Sequence, residues 1–379
     1  MKINRHIFSQ ILLQIKQGNK GIVIYGPRQV GKTTLVNDLL AQLQLKTLIL
    51  NGDQRGDWWE ALTSRELIKM KLLVSGYEAV FIDEAQRIPE IGLSLKIILD
   101  NFPTLKVIVT GSSALDLASK ISEPLTGRIY SYRLFPIAQL ELAQLFTAYE
   151  LRSGLEERLI FGCYPEVFSK PDREARITYL RNVTNGYLYK DLLEFGHISN
   201  STRIYDLLKL LAFQIGAQVS LTELASALEI NRTTVERYID LLEKSYVIFR
   251  LSGFSRNLRK EVTKMDKIYF YDLGIRNTLI GNFNFLKDRD DAGRLWENFL
   301  VVERMKRQTY LGVLCSHYFW RLTSGAEIDM VEEKDGNLNG FEFKFSSKTS
   351  KSPASWLRTY PGSHFNTINR DNWQEFVLG

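Results

Sequence analysis

A glycine-bracketed loop between an apolar run and a helix-like segment constrains the fold of this chain of 379 residues more than any other feature. The run Gly21 to Tyr25 reads GIVIY, which is typical of a strand buried on both faces of a parallel sheet. After the loop, apolar residues recur at helical spacing from Thr33 onward. The loop contains Gly26, four further residues, and then the run Gly31-Lys32-Thr33. This strand-loop-helix order predicts an α/β domain with a parallel sheet.

The spacing of the glycines predicts that the loop binds phosphate. Successive backbone N–H groups of such a loop wrap phosphate oxygens, and the helix that follows adds the positive end of its dipole. Lys32 would supply a charge to the β- and γ-phosphates, and Thr33 a hydroxyl to Mg²⁺, so ATP and Mg²⁺ are the predicted cofactors. The alternative is a glycine-rich turn with a surface lysine. The predicted nucleotide-binding residues of the loop are Gly26, Pro27, Arg28, Gln29, Val30, Gly31, Lys32, Thr33 and Thr34.

Two acids close the next apolar run, Ala79 to Ile82. The carboxyl ends of parallel strands face one crevice, so Asp83 and Glu84 are expected beside the loop. We predict that Asp83 holds the Mg²⁺ shell and that Glu84 orients and deprotonates the water that attacks the γ-phosphate. The alternative for the acid pair is a helix cap.

Small hydroxyl residues close a third candidate strand, Val107 to Val109. Ser112 could bond the γ-phosphate or the attacking water, or Ser112 or Ser113 could cap the next helix, and the sequence leaves both interpretations open. Further on, Arg128 follows a glycine in a polar turn. An arginine beside the γ-phosphate increases the rate of hydrolysis, whereas a lone arginine in a turn is usually only solvated. Whether Arg128 would act in its own chain or in a neighbouring copy of a homo-oligomer stays open.

These motifs, in this order, resemble the AAA-superfamily ATPases of bacteria and archaea. The segments that carry the resemblance are GPRQVGKTT, FIDEAQ, VTGSSA and LTGR. The likeness continues through GCYPEV, YLYKDLL, KIYFYDLGIRN, GRLWENFL and GAEIDM, and it points to the group whose ATPase is joined to a poorly characterised C-terminal domain. The resemblance implies nucleotide and Mg²⁺ binding at Lys32 and Thr33, action of Asp83 and Glu84 on Mg²⁺ and water, and a sensor role for Ser112.

Length and composition indicate a soluble protein with several domains. The chain is too long for one ordinary core, and its 45% hydrophobic and 24% charged residues are typical of globular proteins. We expect no membrane span, because no apolar run approaches the ~18 residues of a span. We also expect no export signal, because the N-terminal segment HIFSQILLQI has no small-residue cleavage site after a basic head. Cys163 and Cys315 lack a CxxC or histidine partner, which favours the reduced cytoplasm. The net charge of +6 permits a nucleic-acid partner without requiring one.

The later part of the chain predicts a helix-turn-helix. Helical stripes begin at Leu221 and Val235, Asn231 is a suitable N-cap between them, and YVIFRLS would form a wing strand. The unit would then either bind DNA or serve as a lid or protein-docking module. If it binds DNA, the second helix offers Arg232, Thr233, Thr234 and Arg237, with Glu236 opposing phosphate. The basic residues Arg256, Arg259, Lys260 and Lys264 would extend a nucleic-acid path or form a solvated loop.

Carboxylates and a lysine form a second constellation near the C-terminus. The segment GAEIDMVEEKDGNLNGFEFKF predicts two strands around an Asp-Gly turn, with Asp329 on the first and with Glu342 and Lys344 on one face of the second. The preceding helix can add Glu297. Such a set suits Mg²⁺-dependent phosphodiester hydrolysis. The pattern resembles the PD-(D/E)xK nuclease core with Ile328 in place of its usual proline, which implies that Glu297, Asp329 and Glu342 bind metal and that Lys344 is catalytic. Such domains can also keep the fold without activity.

Together these patterns predict four parts: a P-loop ATPase domain of the AAA type over 1–150, a helical lid or connector over 151–205, a winged helix over 206–255, and an α+β restriction-endonuclease-like domain over 256–379. The first functional hypothesis is an ATPase that remodels, translocates or cuts branched or broken DNA. The second is a slow ATP/ADP switch whose C-terminal domains bind a protein partner or operator DNA without cleavage.

Overall fold

The structure is a computed structural model that describes residues 2–112, 125–188, 201–256, 266–322 and 325–379. The chain divides into two compact units. The N-terminal unit contains residues 2–136 together with 244–246, and the C-terminal unit contains residues 137–243 and 247–379. No helix in the described ranges has both the length and the apolarity needed to cross a membrane.

The N-terminal unit is built on a sheet of five parallel strands, which confirms the predicted α/β class. The strands lie in the order β2-β3-β4-β1-β5. Their bounds are β1 Gly21–Tyr25, β2 Thr47–Asn51, β3 Ala79–Asp83, β4 Lys106–Gly111 and β5 Ile129–Arg133. Every residue of β1 and of β3 is buried, as the continuous apolar runs of these central strands require.

Five helices accompany this sheet in the described part of the N-terminal unit. They are α1 Phe8–Gln17, α2 Lys32–Leu43, α3 Trp58–Thr63, α4 Leu67–Val74 and α5 Ile91–Asn101. Helix α2 begins directly after the glycine loop and buries Leu35, Val36 and Leu39. A short 3₁₀ turn, Ala85–Arg87, follows the two acids at the end of β3. The loop, the acids and the residues that end β4 therefore all lie at the carboxyl edge of the sheet.

The first half of the C-terminal unit is mainly helical. Its helices are α6 Gln139–Leu142, α7 Ala148–Ser153, α8 Leu155–Phe161, α9 Arg173–Asn182, α10 Ser201–Phe213, α11 Leu221–Leu228 and α12 Arg232–Lys244. Helices α11 and α12 are separated by three residues, and the Ser220 side chain caps α11 by accepting the Glu223 N–H at 3.3 Å. Strand β6, Ile248–Leu251, follows α12 and pairs antiparallel with β7, Lys267–Phe270.

The second half of the C-terminal unit is an α+β arrangement around a mixed sheet of four strands. Its elements are α13 Leu273–Ile280, α14 Ala292–Tyr310, β8 Ser316–Arg321, β9 Glu327–Lys334, β10 Asn337–Phe343, α15 Ala354–Thr359, β11 His364–Ile368 and α16 Trp373–Leu378. The strand order is β11-β10-β9-β8, in which only β10 and β11 are parallel. Asp335 and Gly336, both with positive φ, form the turn between β9 and β10. This is the hairpin that the Asp-Gly pair predicts.

Aromatic side chains fill the core beside this mixed sheet. Trp320, Ile328 and Trp356 belong to one buried cluster that also includes Phe254 and Tyr360. Because the side chains of a strand alternate between the two faces, burial of Ile328 turns its neighbours Glu327 and Asp329 toward the opposite face. Glu327 and Asp329 therefore lie on the same face of β9.

Candidate functional site

The glycine loop after β1 has the backbone conformation that its glycines permit. Gly26 has φ +155° and Gly31 has φ +92°. A Cβ atom on Gly26 would lie 2.1 Å from the carbonyl oxygen of Leu134, just after β5. The loop therefore passes so close to a neighbouring segment that only glycine fits at this position.

Lys32 lies over this loop. Its side chain is buried, and the Nζ atom donates to the carbonyl oxygens of Gly26 and Pro27, at 2.8 Å each. The ammonium group is thereby held at the mouth of the loop, beside the N-terminus of α2. A polyphosphate bound by the backbone N–H groups of the loop would meet this charge.

Asp83, the last residue of β3, connects helix α2 to strand β4. Its Oδ2 accepts the hydroxyl of Thr33 at 2.8 Å, and its Oδ1 accepts the hydroxyl of Thr110 and, at 3.1 Å, the backbone N–H of Glu84. The hydroxyl of Thr33 and the carboxylate of Asp83 are hard oxygen ligands of the kind that Mg²⁺ prefers, so this pair fits the predicted ion. Thr110, which lies within β4, thus contacts Asp83; the sequence left open whether the hydroxyl residues at this strand end contact phosphate or water or cap the next helix.

Glu84 and Ser112 are joined through a residue that the sequence analysis did not select. The Nε2 atom of Gln86 donates to Glu84 Oε2 at 2.5 Å and to Ser112 Oγ at 2.9 Å. Gln86 is 3% exposed, and Glu84 has a positive φ of 49°, which is uncommon for a residue with a side chain. The signal in the sequence was a polar side chain two positions after the acid pair. Ser113, the other serine considered at this point, lies outside the described residues.

Arg128 lies at the opposite edge of the sheet. Its carbonyl oxygen accepts the N–H of Gly21, at the start of β1, and its guanidinium group contacts Asp100 at 2.6 Å and 3.2 Å. Four residue steps of β1 separate this edge from the loop, which is about 13 Å along the strand. Arg128 therefore lies away from the loop of its own chain, because the arginine precedes β5 and the loop follows β1; its role at a γ-phosphate stays a prediction.

The carboxylates near the C-terminus do come together, but around a lysine that the sequence analysis did not include. Lys267 Nζ lies 2.7 Å from Glu327 Oε1, 3.1 Å from Glu297 Oε1 and 3.9 Å from Asp329 Oδ1. Burial disfavours the charged ammonium, but Glu297, Asp329 and Glu327 outweigh this effect and raise the pKa of Lys267. Glu342 and Lys344 contact each other at 2.6 Å.

Asp329 is the most perturbed carboxyl group of this cluster. Burial, followed by the nearby charge of Glu297, raises the pKa of Asp329 to about 8 even though Lys267 opposes the shift. Its Oδ2 accepts the backbone N–H of Phe343 at 2.8 Å. Among the described residues, no group of three or more Asp, Glu, His or Cys side chains is arranged to hold a metal ion. The predicted metal role of Glu297, Asp329 and Glu342 does not fit this arrangement, because Lys267 contacts Glu297 and Asp329 while Glu342 contacts Lys344.

The second helix of the predicted helix-turn-helix presents polar side chains to solvent. Arg232, Thr233, Glu236 and Arg237 of α12 are exposed. Arg256 lies over the ring of Tyr360, with 5.8 Å between the guanidinium carbon and the ring centroid. The other basic residues proposed for a nucleic-acid path, Arg259, Lys260 and Lys264, lie outside the described residues.

Three family models match successive parts of the chain. Residues 18–143 match the model described as AAA domain. Residues 152–285 and 292–365 match two domains of unknown function, DUF8612 and DUF4143. The parallel sheet, the glycine loop and the first of these matches support a P-loop fold of the AAA type for the N-terminal part of the chain.

The chain is also similar to several individual proteins. The uncharacterized protein Rv2008c of Mycobacterium tuberculosis is 28% identical over 362 residues, which cover 90% of this chain and 77% of that protein. The uncharacterized protein MJ1544 of Methanocaldococcus jannaschii is 25% identical over 308 residues, covering 76% and 67%. Among solved structures, the Walker-type ATPase PABY2304 of Pyrococcus abyssi shares 16% identity and a TM-score of 0.48, covering 74% of this chain and 96% of that chain. The RuvB Holliday junction branch migration motor of Thermotoga maritima shares 16% identity and a TM-score of 0.33, covering 65% and 90%.

Proposed function

We propose that the N-terminal unit binds ATP with Mg²⁺ and hydrolyses it. The contact of 2.8 Å between Thr33 Oγ1 and Asp83 Oδ2, beside the glycine loop, is the observation that carries this proposal. A hydroxyl and a carboxylate at this spacing are the pair through which P-loop proteins hold Mg²⁺. The match of residues 18–143 to the AAA domain supports the same function.

The side chains at the carboxyl edge of the sheet have separate roles in binding the triphosphate and in activating water. Lys32 exchanges the carbonyl oxygens of Gly26 and Pro27 for the β- and γ-phosphate oxygens, and the N–H groups of the loop surround the phosphates. Bound Mg²⁺ neutralises charge on the triphosphate. Glu84, at the end of the neighbouring strand, accepts a proton from the attacking water.

Gln86 positions the base. One buried amide group bonds both Glu84 and Ser112, so it holds the two side chains that would meet the attacking water and the γ-phosphate at a fixed separation. A hydrogen bond to a charged group contributes about 1.5–3 kcal/mol, which is enough to restrict Glu84 to one orientation.

Titration calorimetry with MgATP and single-turnover hydrolysis test this function. Lys32→Ala and Thr33→Val should each weaken MgATP binding by at least about tenfold, because each loses a charged or metal-directed contact. Glu84→Gln keeps the shape of the side chain, so it should bind MgATP as the parent does and hydrolyse it about 10²- to 10⁴-fold more slowly. Parental hydrolysis by Glu84→Gln would refute the assignment of the base, and parental binding by Lys32→Ala would refute the assignment of the loop.

We propose DNA binding by α12 as the second function. The exposed side chains of Arg232, Thr233 and Arg237 on the second helix of a helix-turn-helix favour it, as does the net charge of +6. The acidic residues near the C-terminus are already paired with Lys267, which argues against DNA cleavage there.

Fluorescence anisotropy with duplex, single-stranded and branched DNA tests this second function. The double variant Arg232→Ala/Arg237→Ala should bind DNA at least tenfold more weakly and with a smaller salt dependence, because two phosphate contacts are removed. Arg181→Ala, which changes an exposed arginine of α9, serves as the control. A motor should hydrolyse ATP faster when DNA is added, whereas a slow switch should not. Equal affinity of both variants would exclude α12 as the DNA contact.

A further inference from the structure

Lys267 is the one cation among the described residues that contacts three carboxylates of the C-terminal acidic cluster, which we define as Glu297, Glu327, Asp329 and Glu342. Its partners come from two elements, Glu297 on α14 and Glu327 and Asp329 on β9. The side chain of Lys267 is only 4% exposed. Lys344, by contrast, is 39% exposed, and its ammonium group contacts Glu342 at 2.6 Å.

The surroundings hold this ammonium group in place. The Tyr269 hydroxyl donates to Glu297 Oε1 at 2.6 Å, the same oxygen that contacts Lys267. Lys267 Nζ also lies 5.5 Å from the centroid of the Phe319 ring. The backbone of Lys267 belongs to β7, which pairs with β6, so the stem of the side chain enters the cluster from a paired strand.

A divalent ion and this ammonium group would compete for the same oxygen atoms. Mg²⁺ requires about six oxygen ligands at about 2.0–2.1 Å in near-octahedral geometry. Here the oxygens of Glu297 and Glu327 face Nζ at 3.1 Å and 2.7 Å, which are ordinary ion-pair distances. Two positive charges within about 4 Å of each other in a buried site would repel strongly. The oxygens of Glu297 and Glu327 that face Lys267 can therefore hold either this ammonium group or a divalent ion, but not both.

We propose that Lys267 is the resident cation of the C-terminal acidic cluster and excludes a divalent metal from it. The cluster then neutralises its carboxylates within the chain, and the domain can bind its partner without metal-dependent phosphodiester hydrolysis. The N-terminal nucleotide site plays no part in this assignment.

The first experiment uses the parent chain and one variant that is nearly isosteric. Mn²⁺ binding is measured by electron paramagnetic resonance without nucleotide, for the parent and for Asp329→Asn. With Lys267 in place, both proteins should bind the same number of Mn²⁺ ions with the same affinity. Loss of a bound Mn²⁺ in Asp329→Asn would overturn the proposal, because it would show that the parent cluster already holds a metal. This comparison does not require any change at Lys267.

The second experiment removes the resident cation. Lys267→Met keeps the length of the side chain without its charge, and Lys267→Arg keeps the charge. We expect Lys267→Met to melt at a lower temperature than the parent and to recover several degrees in millimolar Mn²⁺. The melting temperatures of the parent and of Lys267→Arg should not respond to Mn²⁺. The double variant Lys267→Met/Asp329→Asn should lose this recovery. Terbium luminescence excited through tyrosine should likewise increase for Lys267→Met only, because Tyr269 contacts Glu297.

The outcomes separate the proposal from its rivals. If folded Lys267→Met gains neither Mn²⁺ stabilisation nor terbium luminescence, the carboxylates do not form a cation site and the proposal fails. If the parent nicks DNA with Mg²⁺ and Asp329→Asn abolishes the nicking, the cluster is a nuclease centre and the proposal also fails. Neither result would bear on ATP hydrolysis at Glu84.

Discussion

Gly26→Ala measures how tightly the phosphate loop is fitted against the segment that follows β5. The added Cβ would lie 2.1 Å from the carbonyl oxygen and 3.1 Å from the carbonyl carbon of Leu134. Ordinary contact begins at 3.4 Å, so one of the two backbones must move by about 1.3 Å. Leu134 cannot move freely, because its N–H donates to the carbonyl oxygen of Tyr25 at 2.7 Å.

Two contributions set the size of the effect. Holding alanine at φ +155° costs about 1–3 kcal/mol, since this backbone conformation is almost confined to glycine. Weakening the buried hydrogen bond of Leu134 costs a further ~1–3 kcal/mol. We therefore expect the free energy of unfolding to fall by about 2–6 kcal/mol, a large part of the roughly 5–15 kcal/mol that stabilises an ordinary domain. A loop displaced by about 1 Å should also lower the rate of hydrolysis about 10²-fold.

Gly76→Ala is the matched control. Gly76 also has positive φ, at +77°, but the nearest atom to its added Cβ is the flexible end of Lys46 at 3.8 Å. Gly76→Ala should lower the free energy of unfolding only by the conformational preference for glycine at this position, about 1–2 kcal/mol. Urea unfolding gives the stability of both variants, and calorimetry gives their affinity for MgATP. Equal destabilisation of the two variants, or parental affinity of Gly26→Ala, would refute the close approach of the loop to Leu134.

Three further predictions follow from single contacts. Gln86→Leu should lower kcat by about tenfold to a hundredfold without changing the Kd for MgATP, since it removes a bond that orients the base and no contact with nucleotide; an unchanged kcat would contradict a positioning role. Arg128→Ala in dilute protein should hydrolyse ATP at the parental rate, because Arg128 contacts Asp100 at the far edge of the sheet; a lower rate at concentrations where the chain is monomeric would contradict that placement. Burial lowers the pKa of His317; Arg304 adds to this effect and Glu332 opposes it. The unfolded chain therefore binds the extra proton. Stability should fall as pH falls through the ordinary histidine range, by no more than about 1.4 kcal/mol per pH unit. His317→Gln should flatten this pH dependence in thermal melts between pH 8 and 5, and an unchanged slope would show that another group titrates.

The phosphate loop could be predicted from the sequence because its determinants are local. Gly26, Gly31, Lys32 and Thr33 lie within eight residues, and the strand before them and the helix after them are short apolar patterns that the chain alone reveals. Asp83 was predictable for a related reason, since the carboxyl ends of parallel strands share one edge. The same rule would have placed Arg128 correctly. It precedes β5, so it had to lie at the amino edge, away from every residue that follows a strand.

Gln86 and the hydroxyl of Thr110 were harder to assign. Each contacts the site through a strand or turn whose geometry depends on neighbours far along the chain. Gln86 follows β3 and contacts Ser112, which follows β4 and lies 26 positions further along the chain. Thr110 and its partner Asp83 are 27 positions apart in the sequence. A single sequence gives the presence of these polar groups at strand ends but not which of them bond each other, because that depends on the order of the strands in the sheet.

The acidic cluster shows which physical question a ligand pattern leaves unanswered. Buried carboxylates must be neutralised by some cation, and a charged group of the chain itself serves as well as a metal. The spacing of Asp329, Glu342 and Lys344 identifies the carboxylates of the cluster but not the cation that neutralises them. The cation comes from β7. Lys267 and Tyr269 are two positions apart and therefore share one face of this strand, and both contact Glu297. A lysine in an otherwise apolar strand must find buried anions, so such a strand is the place to look for the partner of an unexplained acidic cluster.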